Sequence, residues 1–125
     1  MARRVLIVED DKPSRKMCAQ LLKQGGYEVL EAENGRVAME QLLRYTVDLV
    51  VTDMIMPVMD GVETILAIRR LYPDVKIIAM GASGLGPSES CLKIARALGS
   101  HKTVIKPLIS EEFLRAVQEL VGERE

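Results

Sequence analysis

The chain has 125 residues, of which 48% are hydrophobic and 3% aromatic, and its formal net charge at pH 7 is −1. This length and composition indicate one folded domain with an aliphatic core and argue against intrinsic disorder. The small net charge argues against a broad nucleic-acid-binding surface, and no apolar stretch is long enough to span a bilayer. Because the N-terminus leads directly into a strand pattern without a signal-peptide apolar region, we expect a cytoplasmic protein that binds neither nucleic acid nor membranes.

Short apolar runs typical of buried parallel strands alternate five times with amphipathic helical patterns. The predicted strands are residues 4–9, 27–32, 49–52, 76–80 and 102–105. Strict alternation of strand and helix predicts a parallel sheet that is covered by helices on both faces and joined by right-handed crossovers. No repeat, linker or low-complexity tract interrupts the pattern, so the sequence predicts one doubly wound α/β domain.

Capping residues and glycines mark the ends of the predicted helices. The first helix, residues 13–24, stops at a pair of glycines, and the second has Asn34 as its predicted N-cap. The stretch DGVE at residues 60–63 resembles a capping box for the third helix. Pro87 falls near the first turn of the fourth helix, Gly99 marks its end, and Ser110 is the predicted cap of the fifth. The side chains predicted to face the core from these helices are Cys18, Leu21, Leu22, Ala38, Met39, Leu42, Ile65, Leu66, Ile68, Cys91, Ile94, Ala95, Leu98, Phe113, Val117 and Val121.

Two cysteines and one histidine limit the metal and catalytic chemistry that the chain can support. Cys18 and Cys91 lack the spacing of metal ligands and fall in different helical patterns, which favours two buried thiols in a reducing compartment. His101 is alone, so the sequence offers no easy route to a histidine-based catalytic triad or to a multi-histidine metal site.

Charged residues fall at the carboxyl ends of three predicted strands, which is where ligands bind in folds of this class. Strand one ends at the acidic stretch 9–11, strand three ends at Asp53, and strand five ends at Lys106. Carboxylates packed in a partly desolvated cleft favour a hard divalent cation, Mg²⁺ above all or Mn²⁺, whereas zinc prefers His or Cys ligands. Each charge could instead be a solvated strand end, and for Asp11 a helix cap is as well supported as a role in the site. For Asp10, Asp53 and Lys106 together, the shared position favours a site.

An acid, a divalent cation and a lysine suggest phosphoryl chemistry, with Asp53 as the nucleophile and Lys106 holding a phosphoryl oxygen. An aspartyl-dependent hydrolase would need a second acid two residues on, where this chain has Ile55. A lasting acyl phosphate therefore fits better than fast turnover. We expect that the chain is not an enzyme and that it only assists its own phosphorylation and dephosphorylation.

Three motifs in order, "VLIVEDD", "DLVVTDMIMPVMDG" and "VIKPL", make the chain resemble a response-regulator receiver domain of two-component signalling, of the chemotaxis-regulator kind, over essentially its whole length. The resemblance implies a flavodoxin-like (βα)5 sandwich whose five-stranded parallel sheet has the order 2-1-3-4-5. It implies Asp53 as phosphoacceptor and Lys106 as phosphoryl-binding cation. It also implies Asp10, Asp53 and the Ile55 carbonyl as Mg²⁺ ligands, Glu9 acting through water, and a cis peptide bond before Pro107.

Two positions depart from the pattern of such receivers. Where they usually end strand four with a Thr or Ser that grips the phosphoryl group, this chain has Gly81; the Ala82 amide and the Ser83 hydroxyl are the candidate replacements. For Ser83, the interpretation as an ordinary polar residue in a surface loop is at least as well supported as a role in phosphoryl binding. Three residues before the lysine, where receivers commonly carry Tyr or Phe, this chain has Thr103.

The resemblance implies a sensor histidine kinase or a histidine phosphotransfer protein as the phosphate donor. The new charge would shift a conformational equilibrium over the face made by the fourth helix, the fifth strand and the fifth helix, which could also support a homodimer. The alternative is a degenerate receiver that acts as a phosphorylation-insensitive interaction module because of Gly81 and Thr103. We expect residues 1–125 to form a single receiver domain, with any output domain beyond residue 125. The alternative to an output domain is a separate target protein.

Overall fold

The computed structural model describes residues 3–82 and 87–122, without the side chains of residues 82 and 87–91. Strands and helices alternate along this part of the chain. The elements are β1 (Arg4–Val8), α1 (Lys12–Gln24), β2 (Glu28–Ala32), α2 (Gly35–Arg44), β3 (Leu49–Asp53), α3 (Gly61–Leu71), β4 (Lys76–Ala82), α4 (Pro87–Leu98), β5 (Lys102–Lys106) and α5 (Ser110–Val121). The strands pair in parallel in the order β2-β1-β3-β4-β5. The predicted doubly wound α/β fold and its strand order are confirmed.

The strands differ from the prediction mainly at their carboxyl ends. β3 and β5 each run one residue further than predicted, so Asp53 and Lys106 are the last residues of their strands. β4 runs two residues further, which places Gly81 opposite Ile105 and Ala82 opposite Lys106 in the ladder. β1 ends one residue earlier, and Glu9 directly follows it. These differences leave the three charged positions at one edge of the sheet.

Side chains of the strands alternate between two core layers, one on each face of the sheet. In β1, Leu6 and Val8 face the layer that contains buried residues of α2, α3 and α4, whereas Val5 and Ile7 face the layer beneath α1 and α5. Such burial on both faces explains the nearly continuous aliphatic strands. Cys18 lies in the second layer at 1% exposure, and burial raises the pKa of its thiol to about 12. The Cys18 thiol therefore contributes to core packing.

The helix caps follow the prediction with one correction. Asn34 caps α2, and the side chain of Asp60 accepts the backbone N–H of Glu63 at 3.0 Å in a capping box at α3. Ser110, predicted as the cap of α5, is instead its first residue, and the N-cap is Ile109, which offers no side-chain hydrogen bond. In place of a capping side chain, the acidic residues in the first turn of α5 interact favourably with the positive end of the helix dipole.

The predicted core-facing residues of the helices were wrong at two positions. Leu66 is 48% exposed and Ile94 is 46% exposed, because each lies two residues from a buried residue of its helix, Ile68 or Leu92, and therefore about 160° around the helix from it. On α4 the buried residues include Leu92 and Ala95. The side chain of Cys91 is outside the described part of the structure. No helix in the described ranges is both long enough and apolar enough to cross a membrane.

His101 closes the amino end of the β4–β5 pairing through its side chain as well as its backbone. Its backbone N–H donates to the Ile77 carbonyl at 2.8 Å, and its Nδ1 accepts the Ile77 backbone N–H at 3.1 Å. Nδ1 can accept only when it carries no proton. Burial lowers the pKa of His101 below 6.5, and the positive charges of Arg69 and Lys76 lower it further.

We predict that protonation of His101 destabilises the folded protein. Because the unfolded chain binds this proton more readily than the folded one, the free energy of unfolding should fall as the pH drops below 6.5 toward the lower pKa of the folded state. His101→Gln retains an acceptor but cannot titrate, so it should lack this part of the decrease. Urea unfolding of both proteins at several pH values measures the difference. Identical pH dependence in the two proteins would contradict the role of His101.

Candidate functional site

Three strands deliver the charged groups to the carboxyl edge of the sheet. β3 lies between β1 and β4, so Asp53 ends the central strand of the sheet. Glu9 follows β1, and its backbone N–H donates to the Ala32 carbonyl at 3.0 Å. Lys106 ends β5, and the peptide bond between it and Pro107 is cis. Because all strands of the sheet are parallel, their carboxyl ends lie at one edge, and residues that are far apart in sequence come into direct contact there.

Lys106 bridges two carboxylates. Its Nζ donates to Asp53 Oδ2 at 3.0 Å and also to Glu9 Oε1. The side chain of Glu9 is 1% exposed, that of Asp53 is 13% exposed and that of Lys106 is 25% exposed. Asp53 is thus accessible at the surface, whereas Glu9 lies beneath it. The strand pattern predicted that Lys106 and Asp53 lie at one edge of the sheet, but it did not predict the contact of Lys106 with Glu9.

Burial and charge shift the pKa values of these groups in opposite directions. Burial and a hydrogen bond with Glu9 raise the pKa of Asp53 to about 6, against the lowering effect of Lys106. Burial would also raise the pKa of Glu9, but hydrogen bonds with Asp53, Lys106 and Ser14 outweigh it and lower that pKa to about 2. The same contacts raise the pKa of Lys106, although burial opposes this. Two close carboxyl groups therefore share one lysine and favour a further positive charge.

A divalent cation fits the donor set at this edge. Within the described ranges, Glu9, Asp10 and Asp53 form a group whose carboxylate oxygens lie within 4.8 Å of one another. Asp10 is exposed and Asp53 is partly exposed, so water can complete the coordination shell. An all-carboxylate set suits Mg²⁺ or Mn²⁺ rather than zinc. Ile55, predicted to contribute its carbonyl, lies in the loop after β3 with its side chain 55% exposed.

Asp11 serves as a helix cap. Its carboxylate accepts the Ser14 backbone N–H at 2.9 Å at the start of α1, and it is not a member of the described acidic group. Of the two roles that the sequence left open for Asp11, the structure therefore supports the cap. Two residues that sequence reasoning missed follow it on α1. The Ser14 hydroxyl donates to Glu9 Oε1 at 2.9 Å, and Arg15 donates to the Glu9 carbonyl at 2.9 Å.

The loop after Asp53 is held close to the strand end by Gly61. The Gly61 N–H donates to the Met54 carbonyl at 3.0 Å. A Cβ atom on Gly61 would lie 2.5 Å from Met54 Cα and 2.6 Å from the Asp53 carbonyl oxygen, so a side chain cannot fit there. The Met54 N–H in turn donates to Asp53 Oδ1 at 2.8 Å. The glycine of "MDG" therefore allows the close backbone approach that orients the acid.

Two neighbouring residues of α4 contact the positions that depart from the receiver pattern. A Cβ atom on Gly81 would lie 3.0 to 3.3 Å from three side-chain carbons of Leu92, so Leu92 fills the space beside the glycine. One helical turn later, Arg96 donates to the Thr103 hydroxyl at 2.9 Å. Ala82 is described as the last residue of β4, opposite Lys106, and Ser83 falls outside the described residues.

Val58, in the loop between β3 and α3, has a strained backbone. Its φ of +70° makes it the non-glycine residue with positive φ in the described parts of the chain. A β-branched side chain is disfavoured in this left-handed region. The side chain is also 67% exposed, so little packing offsets the strain.

Comparisons with known proteins agree with this geometry. The sequence profile of the response regulator receiver domain matches residues 5–118. The chemotaxis protein CheY of Bacillus subtilis (strain 168) is 34% identical over 123 residues, which cover 98% of this chain and 100% of that protein. CheY of Thermotoga maritima is 33% identical over 121 residues, covering 96% and 98%. The structure of CheY4 from Vibrio cholerae superimposes with a TM-score of 0.85 at 29% identity, covering 96% of this chain and 99% of that one.

The chain belongs to the response regulator receiver domain family of two-component signalling. Receiver domains are typically signal transducers that interact with sensor kinases or phosphotransfer proteins, and they bind Mg²⁺ through acidic residues. The acidic group of Glu9, Asp10 and Asp53 lies at the corresponding edge of this chain.

We predict an energetic coupling between Gly81 and Leu92. Gly81→Thr should be less favourable for stability in the wild-type chain than in a Leu92→Ala background, by about 1 kcal/mol or more, because the new side chain needs the space that Leu92 occupies. Denaturant unfolding of the wild type, both single variants and the double variant gives this coupling. Additive effects would show that Leu92 does not restrict position 81.

We predict that relieving the strain at Val58 stabilises the protein. Val58→Asn should raise the free energy of unfolding by about 1 kcal/mol, because asparagine tolerates positive φ. Val58→Ala is the matched control, since it shortens the side chain but lacks the polar group with which asparagine can hydrogen-bond the local backbone at positive φ. The measurement is urea unfolding, and an alanine variant as stable as the asparagine variant would contradict the assignment of strain.

Proposed function

We propose that this chain accepts a phosphoryl group on Asp53 from a sensor histidine kinase or a histidine phosphotransfer protein, in the presence of Mg²⁺. The observation that carries the proposal is the position of Asp53 at the exposed end of the central strand, with Lys106 Nζ 3.0 Å from Asp53 Oδ2. Membership in the receiver family supports the same role.

Asp53 acts as the nucleophile in this proposal. One of its oxygens forms a bond to the phosphorus atom while the bond between phosphorus and the donor imidazole nitrogen breaks, and the electron pair leaves with that nitrogen. The carboxyl group must be ionised to attack, and with a pKa of about 6 it is mostly ionised at neutral pH. Asp10, Asp53 and the Ile55 carbonyl, with Glu9 acting through water, would hold Mg²⁺, which would shield the negative charge of the transferring group.

Lys106 stabilises the product. Its ammonium group already donates to the oxygen of Asp53 that faces it, so it can bind a phosphoryl oxygen attached there with a small movement of its flexible chain. The Ala82 amide, next to Lys106 in the ladder, is the proposed second donor, and Ser83 is a further candidate. Ile55 stands two residues after the acceptor and cannot activate water, which supports a long-lived acyl phosphate.

The phosphorylated state signals through the face formed by α4, β5 and α5 in this proposal. A phosphoryl group would draw Lys106 away from Glu9, and Lys106 is the last residue of β5. Three exposed aliphatic side chains near this face, Ile94, Ile105 and Ile109, provide apolar area for contact with a target protein, an output domain or a second copy of the chain. Such a response is a shift between two conformations that differ in their contacts around Lys106.

We predict that the wild-type chain gains the mass of one phosphoryl group when it is incubated with acetyl phosphate and Mg²⁺. Asp53→Asn should gain none, because the amide is not a nucleophile. Asp74→Asn is the control, since Asp74 is an exposed acid in the turn before β4, at the opposite edge of the sheet. Intact-protein mass spectrometry measures the outcome. Wild type without added mass, or Asp53→Asn with as much as wild type, would refute the proposed function.

A further inference from the structure

Glu9 is the most buried member of the acidic group, and it is held from α1. At 1% exposure its carboxylate needs hydrogen-bond donors from the protein itself. Oε1 accepts from the Ser14 hydroxyl at 2.9 Å as well as from Lys106. Oε2 accepts the Asp11 backbone N–H over a longer distance, 3.4 Å. Ser14 therefore provides the short neutral hydrogen bond to this acid.

The arrangement resembles a capping box in which the acid lies outside the helix. In an ordinary capping box the third helical residue is Glu or Gln, and its side chain accepts the backbone N–H of the N-cap residue. In α1 the third helical residue is Ser14, and the N–H of the N-cap Asp11 points to Glu9 instead. The hydroxyl of Ser14 is thus free to donate, and it does so to the same carboxylate. Its backbone is fixed by the N-cap bond to Asp11.

Arg15 fixes the backbone of Glu9 in the same region. Its guanidinium donates to the Glu9 carbonyl at 2.9 Å and forms an ion pair with Glu31 at 3.2 Å. Since the carbonyl is fixed by Arg15, the remaining freedom of Glu9 lies in its side chain. Lys106 contacts that side chain, but its own chain is long and it also contacts Asp53. Ser14 is the short, helix-fixed contact that can define the orientation of the carboxylate.

We propose that Ser14 is a positioning residue for Mg²⁺ binding, holding the Glu9 carboxylate in the orientation in which it contributes to the acidic group with Asp10 and Asp53. This inference rests on the proposed function and deepens it. Groups that orient metal ligands typically change metal affinity by about 10- to 100-fold when they are removed. Without the hydroxyl, Lys106 is the remaining short side-chain contact of Glu9 Oε1, and the carboxylate is no longer held in the orientation that contributes to cation binding.

The test compares variants that differ in one hydroxyl group. Ser14→Thr retains the hydroxyl donor, whereas Ser14→Val introduces a side chain of the same shape as threonine but without the hydroxyl. We expect Ser14→Val and Ser14→Ala to bind Mg²⁺ about 10-fold more weakly than wild type, and Ser14→Thr to bind like wild type. Ser110→Ala, a change of an exposed serine at the start of α5, should have no effect. Isothermal titration calorimetry of the metal-free proteins gives the dissociation constants, and thermal unfolding confirms that each variant is folded.

A second comparison asks whether Ser14 acts through Glu9. In a Glu9→Gln background, removal of the Ser14 hydroxyl should cause no further loss of Mg²⁺ affinity, because the carboxylate that it positions is gone. An equal loss in both backgrounds would overturn the proposal, as would wild-type affinity in Ser14→Val. If wild-type protein binds no Mg²⁺, the proposed function itself fails and this inference with it. Wild-type binding together with unchanged Ser14 variants refutes only the role of Ser14.

Discussion

The burial of the Glu9 carboxylate is the constraint around which the carboxyl edge of the sheet is organised. An acid that is 1% exposed cannot rely on water, and leaving it unpaired would cost several kcal/mol. Lys106 and the first turn of α1 supply the compensation. Because the same lysine also contacts Asp53 at 3.0 Å, the partly exposed Asp53 and the buried Glu9 share one cation. Any charge added to Asp53 therefore competes directly with Glu9 for Lys106.

Two side chains of α4 contact Gly81 and Thr103, the positions where receivers usually carry a hydroxyl and an aromatic ring. Leu92 fills the space beside Gly81, and Arg96 contacts the Thr103 hydroxyl from one turn further along. Both contacts come from the same face of one helix, so β4 and β5 are linked to each other through α4. A movement at the carboxyl edge is expected to reach the surface through this helix, because packed side chains and hydrogen bonds carry such coupling.

Much of the site could be read from the sequence because parallel strands bring their ends to one edge. The predicted positions of Asp10, Asp53 and Lys106 required only the strand pattern, and the structure places β1 next to β3, with β5 on the far side of β4. Apolar helix residues outside the buried face were harder to predict. Leu66 and Ile94 are apolar, but the face of each helix that is buried depends on how the helix packs on the sheet, and both lie away from it. The cap at Ser110 was misplaced because α5 begins one residue earlier than predicted, after Ile109, which has no capping side chain to mark the start.

The sequence by itself determined the order of elements, the parallel sheet and the three strand ends that carry charge, because strand and helix periodicity are local properties of the chain. Only the tertiary structure decided which partners those charges have. Glu9 and Lys106 are 97 residues apart, and although Ser14 follows Glu9 closely in sequence, their contact depends on how α1 starts after the end of β1. Such contacts depend on the packing of several elements at once, and no local pattern encodes them. The shared lysine, the hydroxyl that holds the buried acid and the leucine beside Gly81 all belong to this second class.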